Sequence, residues 1–237
     1  MRQIVLDTET TGLDPRQGHR IIEIGCVELL HRRKTEQQFH QYINPEREID
    51  AGAFEVHGIS NEDLADKPQF GDLAQDFINF IRGSKLIIHN APFDVGFIDA
   101  ELALLGPEWG KVTDYCEVID TLAMAREQHP GKRNSLDELC KRYEIDNSQR
   151  QLHGALLDAE ILLDVYLAMT SGQEALLLET RPSRQQGNSK TSLPQGTRPI
   201  LHRIQVPASE REAHERRLDT ISETNGGLCL WRSDYQD

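Results

Sequence analysis

The chain has little cysteine: Cys26, Cys116, Cys140 and Cys229 are widely scattered, with no Cys-x-x-Cys pair. That spacing excludes a zinc ribbon or a disulfide framework and leaves reduced thiols that fill space. No apolar run reaches membrane-spanning length, so neither a transmembrane helix nor a membrane partner is expected. The N-terminus enters a strand-like IVLD almost at once, with no charged-then-apolar leader, and a cytoplasmic protein is the expectation. Cations are also in deficit. Twenty-six Lys and Arg against 39 Asp and Glu give a formal charge of −13. Such a chain does not hold duplex DNA by counterion release, which needs a Lys/Arg-rich face. From Gln173 onward nine acidic and nine basic residues balance, so residues 1–172 carry the whole excess. An acidic catalytic unit can still act on nucleic acid when metal ions bridge its carboxylates to phosphate. Its unaided grip on DNA is then weak.

What is present fills one good-sized domain and a smaller appendage. Gln3–Asp7, Ile21–Leu30 and Gln38–Ile43 have the pattern of three successive strands, with turn chemistry at Asp14-Pro15 and Asn44-Pro45. Their short connections favour antiparallel pairing. Phe70, Leu73, Phe77, Ile78 and Ile81 fall at helical spacing over 70–81. A buried-type strand over 85–89 precedes a helix over 91–105, and Val118–Asp120 is a short fifth strand. Ser135 and Glu138 stand in capping-box spacing at the start of a helix to Tyr143, and a last helix runs over 154–169. The pattern predicts an α/β fold: a mixed five-stranded sheet flanked by helices. Residues 1–172 form this domain. Residues 173–199 are a linker, because 181–199 holds too few apolar residues to bury a core. In 200–237, Ser209 and Glu212 have capping-box spacing, a helix follows to about Glu223, and Asn225-Gly226 stops it. This tail is too small for its own core and is expected to dock on a partner.

Five residues carry candidate chemistry. Asp7 and Glu9 stand two apart on a strand, so both side chains share one face. Adjacent carboxylates repel unless a cation neutralises them, and hard oxygen ligands suit Mg²⁺ or Mn²⁺. Taken alone, the pair is equally an ordinary solvated strand end. Asp94, in HNAPFDVGF, lies on a first helical turn, where the helix dipole by itself favours an acid. Asp158 is an acid on a mostly apolar helix, and His153 precedes it by five residues. Five helical residues leave two side chains ~140° apart, so these converge only if His153 sits on the incoming loop. Together, four carboxylates suffice for two metal ions ~3.5–4 Å apart, and a neutral histidine can deprotonate the attacking water.

LDTETTGL, HNAPFDVGF and the His153–Asp158 element resemble the three motifs of DEDD-type exonucleases with a catalytic histidine. The likeness extends through RQIVLDTETTGL, PGKRNSL and RYEIDNS to the proofreading, epsilon-type members of that family in bacterial replicative polymerases. The resemblance implies a ribonuclease H-like exonuclease fold and removal of mispaired 3′-terminal nucleotides as 5′-monophosphates. It implies two divalent ions, Mg²⁺ or Mn²⁺, held by Asp7, Glu9, Asp94 and Asp158, with His153 as general base. Gly154 stands where the tyrosine subclass has its aromatic residue. Asp7, Glu9, Thr10, Gly12, Leu13, His57 and Asp158 would meet the 3′ end of single-stranded DNA. Many relatives carry a Pro-Glu pair where this chain has Ala51-Gly52, so the substrate-end contact of that glutamate is not carried over and the role of Ala51-Gly52 stays open. Gln173, Leu176 and Leu178 are similar to the family's sliding-clamp peptide, and equally to a helix end with leucines. The 200–237 tail resembles the tether to the polymerase (alpha) subunit, and a small theta-like subunit is a further candidate partner, all within a nucleoid-associated replisome. The motifs do not separate DNA from RNA, so a free-standing exoribonuclease stays open. So does an adaptor without nuclease activity.

Overall fold

The computed structural model describes residues 2–150, 152–171, 207–224, 226 and 231. The chain divides into two compact units, Met1–Ser183 and Arg184–Asp237. The clamp-like peptide Gln173–Leu178, the linker 173–199 and Cys229 lie outside the described residues.

In the first unit β1 (Arg2–Thr10), β2 (Ile21–Leu30) and β3 (Arg33–Tyr42) form an antiparallel meander. β4 (Lys85–Ile88) and β5 (Glu117–Asp120) add parallel strands on the other side of β1, giving the order β3-β2-β1-β4-β5. The mixed five-stranded sheet is as expected, with two extensions. β1 runs on to Thr10, because its residues 8–10 keep pairing with β2 past the end of β4. β3 begins at Arg33, a polar stretch in which Lys34 and Arg33 pair with Leu29 and Leu30.

Strand parity divides the core. Ile4 and Leu6 enter a cluster with Phe70, Phe77 and Ile78 of α3 (Phe70–Ile81) and with Phe97 and Ile98 of α4 (Ala91–Leu105). Val5 enters the opposite cluster, with Ala125, Leu139, Leu162 and Val165. Those residues belong to α6 (Thr121–Gln128), α7 (Leu136–Tyr143) and α8 (Ala155–Ser171). Short helices α1 (Ala51–His57), α2 (Asn61–Leu64) and α5 (Val112–Tyr115) fill the connections. α4 is fastened to the sheet by buried Glu101, which takes two hydrogen bonds of 2.7 Å from the Arg20 guanidinium and one from the Ile21 amide.

α7 has only half of the expected capping box: the Ser135 hydroxyl accepts from the Glu138 amide at 3.4 Å. In the second unit α9 spans Ala208–Thr224, so Ser209 lies inside the first turn and is not the cap. The Pro207 carbonyl accepts the amides of Glu210 and Arg211 instead. Past the end of α9, Gly226 adopts φ +69°, a left-handed conformation that ordinary side chains disfavour.

Candidate active site

β1 carries Asp7 and Glu9 on the same parity as Val5, facing α8. Asp7 pairs directly with Gly25, and a Cβ there would overlap the main chain of Ala155 and Leu156. Glycine at this position therefore lets the first turn of α8 descend onto the sheet beside Asp7. Glu23, opposite Glu9 and 2% exposed, accepts the Ala155 amide at 3.1 Å and so caps the helix that is brought down. Asp158, 2% exposed, sits on that first turn. His153 lies on the incoming loop, tied to α1 by its amide on the Val56 carbonyl at 3.1 Å. The required convergence occurs: His153 Nδ1 is 3.2 Å from Asp158 Oδ2. Asp94 comes from the other helical layer. Asn90, in left-handed conformation before α4, donates its amide to Asp120, and Asp94 one turn later takes the Thr8 hydroxyl at 2.6 Å.

Asp7, Glu9, Asp94, His153 and Asp158 all line one cavity of about 780 Å³. Burial, then repulsion from Asp94, Glu9 and Asp158, raises the Asp7 carboxyl well above the usual range. Burial chiefly raises Asp94 too, against the lowering effect of its hydrogen bond from Thr8. Glu9 is pushed up to about 8 by burial and by the charges of Asp158, Glu23 and Asp94. Clustered carboxylates of raised pKa resist ionisation unless a positive charge joins them. The donor set is all hard oxygen plus one imidazole, and oxygens of Glu9 and Asp158 and a His153 nitrogen lie within 4.8 Å of one another. That chemistry fits divalent cations of the Mg²⁺ or Mn²⁺ kind.

Arg150 escaped the sequence pattern. Its guanidinium grips both oxygens of Asp158 at 2.6 Å, Asp137 at 2.6 Å and His153 Nδ1 at 2.9 Å. Burial acts to raise Asp158, but His153 and Arg150 together hold it below the ordinary value. Nothing in the sequence marks Arg150 except its place three residues before His153. Glu23 and Gly25 were likewise unmarked.

A second cavity of about 590 Å³ adjoins the first, sharing Thr8, Glu9 and Phe93 with it. Thr10, Gly12, Leu13 and His57 line it; Asp7 and Asp158 line only the first. Leu13 is 85% exposed, a free apolar lip. His57 is buried: Nδ1 accepts the Ile59 amide at 3.0 Å, while Nε2 lacks a hydrogen bond. Burial lowers its pKa and favours the neutral ring. Gly12 packs on the His19 ring, where a Cβ would overlap it. Gly52 lines the same cavity without a side chain to offer. The contact expected from relatives with Pro-Glu here is absent from this wall.

The Exonuclease family model matches residues 4–166. The chain belongs to the exonuclease family. DNA polymerase III subunit epsilon of Salmonella typhimurium is 52% identical over 240 aligned residues, covering 98% of each chain. The same subunit of Escherichia coli is 51% identical over 238, again covering 98% of each. Among solved structures, Exonuclease X in complex with 5′ overhanging duplex DNA superposes with a TM-score of 0.58 at 24% identity. It covers 73% of this chain and 93% of its own, and establishes the fold. This exonuclease is thus of the polymerase III epsilon type, a proofreading 3′→5′ enzyme in a divalent-metal-dependent family. No helix among its described residues is long and apolar enough to cross a membrane.

Proposed function

We propose that Asp7, Glu9, Asp94 and Asp158 hold two divalent ions, Mg²⁺ or Mn²⁺, and that His153 is the general base for hydrolysis of the terminal phosphodiester of single-stranded DNA. One observation carries this: carboxylates from β1, α4 and α8, three separate elements, converge on one cavity with an imidazole at its rim. When bound, the ions supply charge neutralisation at the phosphate and a more acidic attacking water. The chain's own residues do the rest. Thr8 fixes the Asp94 carboxylate, Glu23 and Gly25 fix the height of α8, and the main chain of Val56 fixes the His153 loop. The His153 side chain is 43% exposed, within reach of a water at the cavity mouth. The second cavity takes the terminal nucleoside. Neutral His57 offers Nε2–H as a donor, and Thr10, Gly12 and Leu13 form the opposing wall.

The tail completes the proposal. Gln173, Leu176 and Leu178 dock on the sliding clamp, and residues 200–237 dock on the polymerase subunit through the 173–199 linker. A small accessory subunit binds the catalytic domain, so that the enzyme works inside the replisome. A neutral tail favours this arrangement over direct capture of DNA.

The deciding experiment compares Asp7→Ala with the wild type for Mg²⁺-dependent release of nucleotide 5′-monophosphates from mismatched primers and from matched single-stranded DNA and RNA. Removal of both nuclease activity and mismatch excision is the expected result. Retention of either by Asp7→Ala overturns the site, and faster RNA than DNA cleavage by the wild type overturns the substrate.

A further inference from the structure

The cavity that holds the carboxylates is larger than their chemistry needs. About 780 Å³ is the volume of roughly two dozen waters. Its lining also carries positive charge. Arg126 of α6 and Lys132 and Arg133 of the following loop line it, and all three are exposed. None forms an ion pair among the described residues. In a chain of charge −13, unpaired cations lining the same cavity as the carboxylates stand out against the average.

The loop beneath them is built. Buried Asn134 donates to the carbonyls of His129 and Lys132, and Arg142 donates to Asn134 Oδ1 at 2.9 Å and to the Arg133 carbonyl at 2.8 Å. Gly131 supplies the left-handed turn at φ +74°. The main chain at 132–134 is therefore pinned by hydrogen bonds of its own, and the side chains of Lys132 and Arg133 are left to the cavity.

We propose that Arg126, Lys132 and Arg133 form a phosphate track for the nucleotides that precede the scissile bond. This rests on the proposed function, which puts the terminal nucleoside in the second cavity and the scissile phosphate at the carboxylates. Because the two cavities meet at Thr8, Glu9 and Phe93, a strand ending in the second has a path through the first, which these three cations line. Phe93 at the junction offers a ring to an adjoining base, a sequence-tolerant contact. Contacts to phosphates position a strand without reading its sequence.

The test uses the full chain and three substrates: a nitrophenyl ester of thymidine 5′-phosphate, a thymidine dinucleotide and a ten-nucleotide thymidine strand. The ester has no upstream phosphate and reports on the carboxylate site alone. The variant is Arg126→Gln/Lys132→Gln/Arg133→Gln, set against Lys34→Gln/Lys67→Gln/Lys141→Gln, which removes the same charge from residues paired with acids elsewhere. These are surface positions at which substitutions normally change stability by under about 0.5 kcal/mol, and melting curves check that. For the track variant, KM for the ten-nucleotide strand should rise about tenfold or more while kcat holds. The slope of log KM against log salt should fall by about two, at ~0.7 for each single-strand phosphate that the variant no longer neutralises. The advantage of the long strand over the dinucleotide should disappear. Unchanged KM and salt slope, or an equal loss in the control variant, overturns the track. A wild type that hydrolyses neither ester nor strand with Mg²⁺ or Mn²⁺ overturns the proposed function itself, a separate outcome.

Discussion

Glu9 shows how a single residue trades stability for chemistry. Its carboxyl, 8% exposed, titrates at about 8 in the fold against 4.5 for an ordinary glutamate. Between those values the folded protein binds more protons than the unfolded one, so metal-free stability falls as pH rises from about 4.5 to about 8. Asp7 and Asp94 are raised as well and act in the same direction. A shift of this size amounts to at most about 5 kcal/mol, at about 1.4 per unit. The melting temperature in EDTA should therefore drop between pH 5.5 and 8, and Mg²⁺ should restore it most at the alkaline end. Glu9→Gln should melt higher than the wild type in EDTA at pH 8 and lose its exonuclease activity. Arg150→Gln should do the reverse in EDTA, because it strips the buried Asp158 of its guanidinium, at roughly 3 kcal/mol for a broken buried pair. A Glu9→Gln protein less stable than the wild type under these conditions would refute the account of a site held under charge repulsion.

At the scale of elements, placement depends on one close approach, β2 against the first turn of α8. Gly25→Ala puts a methyl group into the main chain of Ala155 and Leu156, and main chain cannot step aside as a side-chain tip can. The helix has to lift, carrying Asp158 away from Asp7. We expect a stability loss of about 1–3 kcal/mol from overpacking, with weaker Mg²⁺ binding by calorimetry. Gly52→Ala, at an open position, is the matched control; Gly25→Ala with unaltered metal affinity would show that α8 is seated by something else. The sheet was legible because alternation and turn residues mark strands, and the parity of Asp7 and Glu9 followed from it directly. The close approach was not, since a glycine inside a strand has no pattern of its own. α1, α2 and α5 went unmarked for another reason: at 7, 4 and 4 residues they are too short to hold by propensity, and only their packing makes them helical. Arg150 was invisible because a polar residue in a polar loop reveals its partner only in three dimensions. In α8 the large Leu156 and Leu157 are only partly buried, while small Ala155 and Ala159 are fully buried. Close seating selects for size as well as for hydrophobicity.

For the whole molecule the question is how an enzyme of charge −13 meets a polyanion. The entire excess lies within residues 1–172, so repulsion acts on the catalytic unit, and three cations lining one cavity offset it only locally. Binding DNA from free solution is then slow and weak at low ion concentration. A tether changes the terms, because an attached nuclease samples the primer end at an effective concentration in the millimolar range, set by linker length and independent of its own affinity. The charge-balanced tail suits that role, since its net charge gives no long-range attraction or repulsion toward phosphate. If so, the chain cut after Gly172 and the full chain should excise a mismatched nucleotide at the same rate when each acts alone. Adding the polymerase subunit should accelerate the full chain by about a hundredfold or more and leave the shortened chain unchanged. Single-turnover excision from a mispaired primer, with and without the polymerase subunit, measures this. Equal acceleration of both chains would place the polymerase contact on the catalytic domain and remove the tail from the mechanism.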